Sequence, residues 1–83
     1  MSDPPDNQII VFSTVWCHYC HALMDWLDDS KIPYIEYDTE TVDGLKKAEE
    51  LLGGDPDTVP TSIINGQIVV GFDRQAILKL LKK

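Results

Sequence analysis

Cys17 and Cys20 stand three residues apart, with His18 and Tyr19 between them, and are the only cysteines in the chain. A disulfide across so short a loop removes little entropy from the unfolded chain, so stapling is a poor reason for the pair. Redox exchange or metal ligation explains it better, with two inert buried thiols as the plain alternative. Placement separates these readings. If Cys17 opens a helix, its sulfur meets unpaired backbone N–H groups and the positive end of the helix dipole. Thiols so placed ionise at a pKa of roughly 3.5–7.5, and the thiolate is the species that attacks a disulfide. Cys20, one turn further on and deeper, is then within reach of Cys17 and less open to substrate. Cys17 is therefore the expected nucleophile and Cys20 the resolving thiol.

Neighbouring residues tune such a pair. His18 or Tyr19 can favour the thiolate by charge or hydrogen bond. His18 near a helix start is in a poor place for its own protonation. Trp16 either packs or shields the pair and touches substrate. His21 reads as a solvated helix residue. It is also a candidate third zinc ligand, because Cys17, Cys20 and His21 fall on one helical face, although a fourth ligand is not evident. Trp26 and Tyr34 read as packing or surface aromatics, and Asp25, Asp28 and Asp29 as a solvated face.

The elements that must position the pair follow from periodicity. Ile9 to Ser13 is a short apolar, β-branched run, suited to a central strand buried on both faces. Trp16 to Ser30 is expected to be helical, since Cys20, Leu23, Met24 and Leu27 recur at helical spacing. Tyr34 to Tyr37 reads as a strand parallel to the first, completing a βαβ unit. A second helix is expected over Val42 to Leu52, starting near Thr41 or Asp43 and stopped by Gly53-Gly54. Thr61 to Ile64 and Gln67 to Val70 flank Asn65-Gly66, a strong hairpin signal. A last helix is expected over Asp73 to Leu81, capped by Asp73, with Ile77, Leu78 and Leu81 inward. The order β-α-β-α-β-β-α predicts an α/β protein of the thioredoxin fold, a four-stranded mixed sheet with helices on both faces.

In that fold the loop before the third strand faces the cysteines. Val59-Pro60 ends this loop, and a cis peptide there would turn the Val59 backbone toward an extended substrate. An ordinary trans turn proline is the alternative.

Size and charge bound the rest. With 83 residues, one domain is expected, residues 1–7 forming a flexible tail. The formal net charge is −7, and the only basic cluster is Lys79, Lys82 and Lys83, so a nucleic-acid partner is not expected. Neither is a membrane partner, since no apolar run approaches the span of about 18 residues. Met1 to Gln8 lacks the marks of a secretory signal, and a cytoplasmic monomer is expected.

Taken jointly, Trp16-Cys17-His18-Tyr19-Cys20, Thr58-Val59-Pro60, Asn65-Gly66 and Val70-Gly71-Phe72-Asp73 resemble the glutaredoxins and glutaredoxin-like redoxins from Ile9 onward. The resemblance implies a cis Pro60, a Cys17 nucleophile, and reduction of protein disulfides or glutathione mixed disulfides. It implies no bound cofactor, with glutathione or thioredoxin reductase as reductant. If glutathione is a co-substrate, position carries Tyr19, Thr58, Val59, Pro60, Gly71, Phe72 and Asp73 over as its binding residues. The chain departs from the family pattern in having His18 rather than proline after the first cysteine, Thr14 where a lysine is common, and Phe72 in place of a second glycine. Gly71-Phe72 is more similar to redoxins served by thioredoxin reductase. The resemblance also permits an iron–sulfur cluster shared through Cys17. Zinc or iron–sulfur binding is the rival to redox exchange, and a non-catalytic peptide-binding module is a second.

Overall fold

A computed structural model describes residues 8–81. The expected tail, residues 1–7, lies outside the described residues, as do Lys82 and Lys83. The elements are β1 (Ile9–Ser13), α1 (His18–Asp29), β2 (Ile35–Asp38), α2 (Val42–Leu52), β3 (Thr61–Ile64), β4 (Gln67–Val70) and α3 (Arg74–Leu80). One sheet runs in the order β2-β1-β3-β4. β1 pairs with β2 in parallel and with β3 antiparallel, and β3 pairs antiparallel with β4. This is the expected mixed sheet of the thioredoxin fold.

Alternation along β1 sorts the two faces. Ile9 and Val11 join Ile64 of β3 and Val69 of β4 on one side, where α1 contributes Cys20, Leu23, Met24 and Leu27 and α3 contributes Ile77. The helical spacing read from α1 thus names its whole buried face. Phe12 points the other way and stacks on Tyr37 of β2 at 5.9 Å, on the side where α2 packs beside β2. β1 is therefore covered on both faces, as its unbroken apolar run requires.

Local chemistry fixes the connections. Asn65 (φ 51°) and Gly66 (φ 87°) both adopt left-handed backbone, the conformation of a two-residue hairpin turn whose twist matches its strands. Thr41 caps α2: its Oγ1 accepts the Gly44 N–H at 3.0 Å and donates to Asp38 O at 2.7 Å.

Some boundaries differ from the sequence reading. α1 begins at His18 rather than Trp16 because Cys17 is extended (φ −89°, ψ 110°) and serves as the cap. β2 takes in Asp38 and leaves out Tyr34. Leu78 was expected inward but is 51% exposed. α3 has only seven residues, and its inward side is filled by Ile77 with Ala76 and Leu80 against the core, which turns Leu78 out by helical rotation.

Gly44 sits where α2 closes on the end of β2. A Cβ added there would lie 1.8 Å from Asp38 O, so backbone must move to admit it. Alanine gains about 1 kcal/mol of helix propensity over glycine, while such overpacking costs about 1–3 kcal/mol or more. Gly44→Ala is therefore expected to lower the unfolding midpoint in urea, despite improving the intrinsic helix preference.

Candidate active site

The strand-to-helix junction after β1 carries the cysteines. Thr14 O accepts the Cys17 N–H at 3.3 Å, and Cys17 O accepts the first helical N–H, from His21, at 3.2 Å. Between them the Cys17 side chain takes the position of a serine or aspartate cap: Cys17 Sγ accepts the Cys20 N–H at 3.2 Å. The same sulfur lies 3.6 Å from Val59 O, to which its thiol donates. One contact suits negative charge on the sulfur and the other suits the thiol.

The two cysteines differ in access. Cys17 keeps 7% of its surface and Cys20 none. Both thiols are free. Burial, and then the contact with Cys17, pushes the Cys20 thiol up from 9.0 to about 12, with the Glu36 charge adding to the rise and a hydrogen bond from the Thr14 backbone opposing it. Cys20 is held protonated behind a sulfur that substrate can reach.

The rim is apolar and open. Val15, Trp16 and Tyr19 are each about two-thirds exposed or more. Trp16 is tethered from outside the motif: its Nε1–H donates to Glu40 Oε1, on the loop before α2, at 2.9 Å. His18, the first residue of α1, is exposed. His21 is not merely solvated, since its Nε2 lies 2.8 Å from Val15 O and ties the loop to the helix.

The facing wall comes from the β3 and β4 ends. Val59-Pro60 is cis, as expected. Gly71, at φ 81°, donates its N–H to Pro60 O at 2.7 Å. Tyr19, Thr58, Val59, Pro60, Gly71 and Phe72 line one groove of about 250 Å³ beside Cys17. Phe72 is anchored there: its ring packs on Trp26 at 5.9 Å, and the Arg74 guanidinium lies 5.2 Å from Phe72 and 5.7 Å from Trp26.

The structure therefore brings together most of the residues named from sequence. Asp73 is the exception. Its Oδ1 caps α3 by accepting the Ala76 N–H at 3.1 Å, and it does not line the groove. Cys17, Cys20 and His21 do not form a ligand set either. Among the described residues no group of three or more His, Cys, Asp or Glu is placed to hold a metal ion. Glu40, Arg74 and the His21–Val15 link were not legible as site features, because each acts through a partner distant in sequence or through backbone.

A dithiol at a strand-to-helix junction, facing a proline loop on a thioredoxin fold, defines the class as a redoxin. The glutaredoxin family model matches residues 9–69, and the chain belongs to the glutaredoxin family. It is 32% identical over 76 residues to an uncharacterised glutaredoxin-like 8.6 kDa protein in the rubredoxin operon of Clostridium pasteurianum, covering 90% of this chain and 99% of that one. Among solved structures it resembles a thioredoxin-like protein at a TM-score of 0.73 and 26% identity, over 88% of this chain and 99% of the other. It also resembles the glutaredoxin-like NrdH-redoxin of Escherichia coli, described by its thioredoxin-like activity profile, at a TM-score of 0.74 and 20% identity, over 92% and 97% of the two chains.

The raised Cys20 value has a sign for stability. Below pH 9 both folded and unfolded chains hold this proton. As pH rises from 9 toward about 12, the unfolded chain releases a proton that the fold keeps, and the reduced fold loses stability. The loss is at most about 1.4 kcal/mol per pH unit. Urea titrations of reduced wild type and Cys20→Ala, compared at neutral pH and at roughly pH 10–11, should show the wild type losing more.

Proposed function

We propose that this protein is a dithiol oxidoreductase in which Cys17 attacks a disulfide and Cys20 resolves the adduct. The observation that carries this reading is the asymmetry of the pair. Cys17 caps α1 at the surface, accepting an N–H at 3.2 Å, while Cys20 is wholly buried one turn behind it.

The reaction divides between them. The Cys17 thiolate attacks one sulfur of the substrate disulfide, forming a mixed disulfide and releasing the other sulfur as thiolate. Cys17 then carries no charge and no hydrogen for Val59 O. Two of the effects that hold the Cys20 proton, the Cys17 contact and its charge, are thereby removed. Cys20 ionises more easily at the moment when its attack is needed. Its thiolate attacks Cys17 sulfur, the Cys17–substrate bond breaks, and the reduced product leaves with the Cys17–Cys20 disulfide behind it.

The groove supports an extended peptide as the main substrate. At about 250 Å³ it is smaller than the usual small-molecule pocket of roughly 300–1,000 Å³. The neighbouring Val15, Trp16 and Tyr19 offer open apolar contact instead. Phe72 narrows the side on which glutathione would lie. Protein disulfides are thus the favoured substrates, with a reductase rather than glutathione restoring the dithiol.

NADPH-coupled turnover of a protein disulfide tests this. Turnover with thioredoxin reductase, lost in Cys17→Ser, is the expected result. Serine keeps the cap, so that variant should stay folded. Silence with both thioredoxin reductase and glutathione plus glutathione reductase would sink the reading. Phe72→Gly, which opens the groove, is expected to raise turnover in the glutathione arm relative to wild type. An unchanged glutathione rate would show that Phe72 is not what narrows access.

A further inference from the structure

The resolving step has to take a proton off a thiol that solvent does not reach. Cys20 has no exposed surface. The side of the sheet on which it packs is otherwise apolar, with Ile9, Val11, Ile64 and Val69 as its floor. Polar side chains do occur on that floor near the site. Ser13 lies two residues beyond Val11 on β1 and is fully buried. Glu36 is the register partner of Val11 on β2, and Ser62 its partner on β3. Partners directly opposite in a sheet share a face. All of these therefore lie on the α1 side, with Cys20.

Only one of the two hydroxyls is connected. Ser62 is buried and its Oγ has no hydrogen-bond partner among the described residues. Ser13 Oγ donates to Glu36 Oε2 at 2.8 Å. Glu36 is exposed, on an edge strand with solvent beyond it. The pair thus runs from the buried α1 side of the sheet to bulk water. Glu36 also reaches Cys20 electrostatically, since its negative charge opposes ionisation of that thiol. Neutralising the carboxylate as the thiol ionises would keep the local charge constant.

We propose that Glu36, held in place by Ser13, accepts the proton of Cys20 during resolution of the mixed disulfide. The inference rests on the two-cysteine reaction above. While Cys17 is free, its sulfur helps to hold the proton on Cys20. Once Cys17 is bonded to substrate, the Cys20 thiol loses that partner. Its proton passes to the Ser13 hydroxyl as Ser13 gives its own to Glu36, which leaves Cys20 thiolate, neutral Ser13 and protonated Glu36. Cys20 sulfur then donates its electron pair to Cys17 sulfur and the substrate sulfur departs with the pair of the broken bond. Glu36 returns its proton to water. Ser13 thus carries the proton and positions Glu36 through the bond between them, and Glu36 is its acceptor.

The charged and titratable groups around this path are few. From the α1 cap comes Cys17, and from α1 itself come Cys20, Asp25 and Asp28. On its own strand is the register neighbour Asp38, and just before it Tyr34, whose phenol is pushed up by burial and by Asp28, Glu36 and Asp25 together. β1 presents the Ser13 hydroxyl and the apolar Val11 to Glu36, and among the described residues β2 has no strand on its other side.

Stopped-flow reaction of the reduced protein with one equivalent of dithiodipyridine separates the steps, because attack by Cys17 releases one thiopyridone and resolution by Cys20 releases the second. Glu36→Gln keeps an acceptor for Ser13 and removes the base. The expected result is an unchanged first phase and a second phase slowed about 10- to 100-fold, as for loss of a general base. Between pH 6 and 8 the variant's second phase should climb about tenfold per pH unit relative to the first, as hydroxide takes over, and the wild type's should be flatter. The sign is decisive. If Glu36 only opposes the Cys20 thiolate, removing its charge speeds the second phase, and an unchanged or faster second phase overturns the proposal. Ser13→Ala should slow the same phase, and a wild-type rate there would overturn the part given to its hydroxyl. A wild type with no first phase would instead overturn the two-cysteine reaction itself.

Discussion

Everything at this site depends on one face of α1 being buried against β1. Cys20, Leu23, Met24 and Leu27 form that face, and the first of them is a reacting residue. A side chain that helps hold the helix to the sheet is also the one to which the proposed reaction gives the resolving attack. Its burial keeps it protonated, keeps substrates away from it, and sets it behind Cys17. Each fully buried aliphatic neighbour stabilises the docking by roughly 1.5–3 kcal/mol. The geometry of the sulfur pair is therefore maintained by the hydrophobic core together with the Cys17 cap on the Cys20 N–H.

Around that fixed pair, long-range contacts build the surface. Glu40 holds Trp16 from the start of α2. Val15 O meets His21 across the loop. Gly71 is tied to Pro60, and Phe72 is stacked with Trp26 and Arg74. Segments far apart in sequence thus converge on Cys17, and the rim is tied together by hydrogen bonds and ring contacts. The family relationship fits this economy: a short chain reaches function by placing a few residues on a shared scaffold.

The sequence was most informative where periodicity and punctuation agree. The apolar run of β1, the spacing in α1 and the Asn65-Gly66 turn each have one dominant physical cause, and each element lies where its pattern placed it. The placement of Cys17 at the helix start and Cys20 buried one turn behind it followed from the same logic. Other features had no local signal. Cys17 as a cap shortened α1, because residues before a cap still look helical by spacing. Leu78 faced outward because Ala76, Ile77 and Leu80 already fill the inward side of a seven-residue helix. Asp73 matched a ligand-binding position by resemblance, and its carboxylate takes the α3 cap that its place before the helix also predicted. The Ser13–Glu36 bond joins residues 23 apart, and nothing in either residue's own neighbourhood announces it.

The placement of the two indoles has a spectroscopic consequence. The chain contains only Trp16 and Trp26. Trp16 is 67% exposed and adjoins the nucleophile, while Trp26 is half-buried and packed on Phe72 beneath Arg74. Their surroundings respond to different events. In the proposed reaction, closure of the sulfur pair would alter the quenching of Trp16, whereas a change in the far wall of the groove would alter that of Trp26. Intrinsic emission therefore carries two channels from one small domain, one reporting oxidation state and the other the groove, without any attached label.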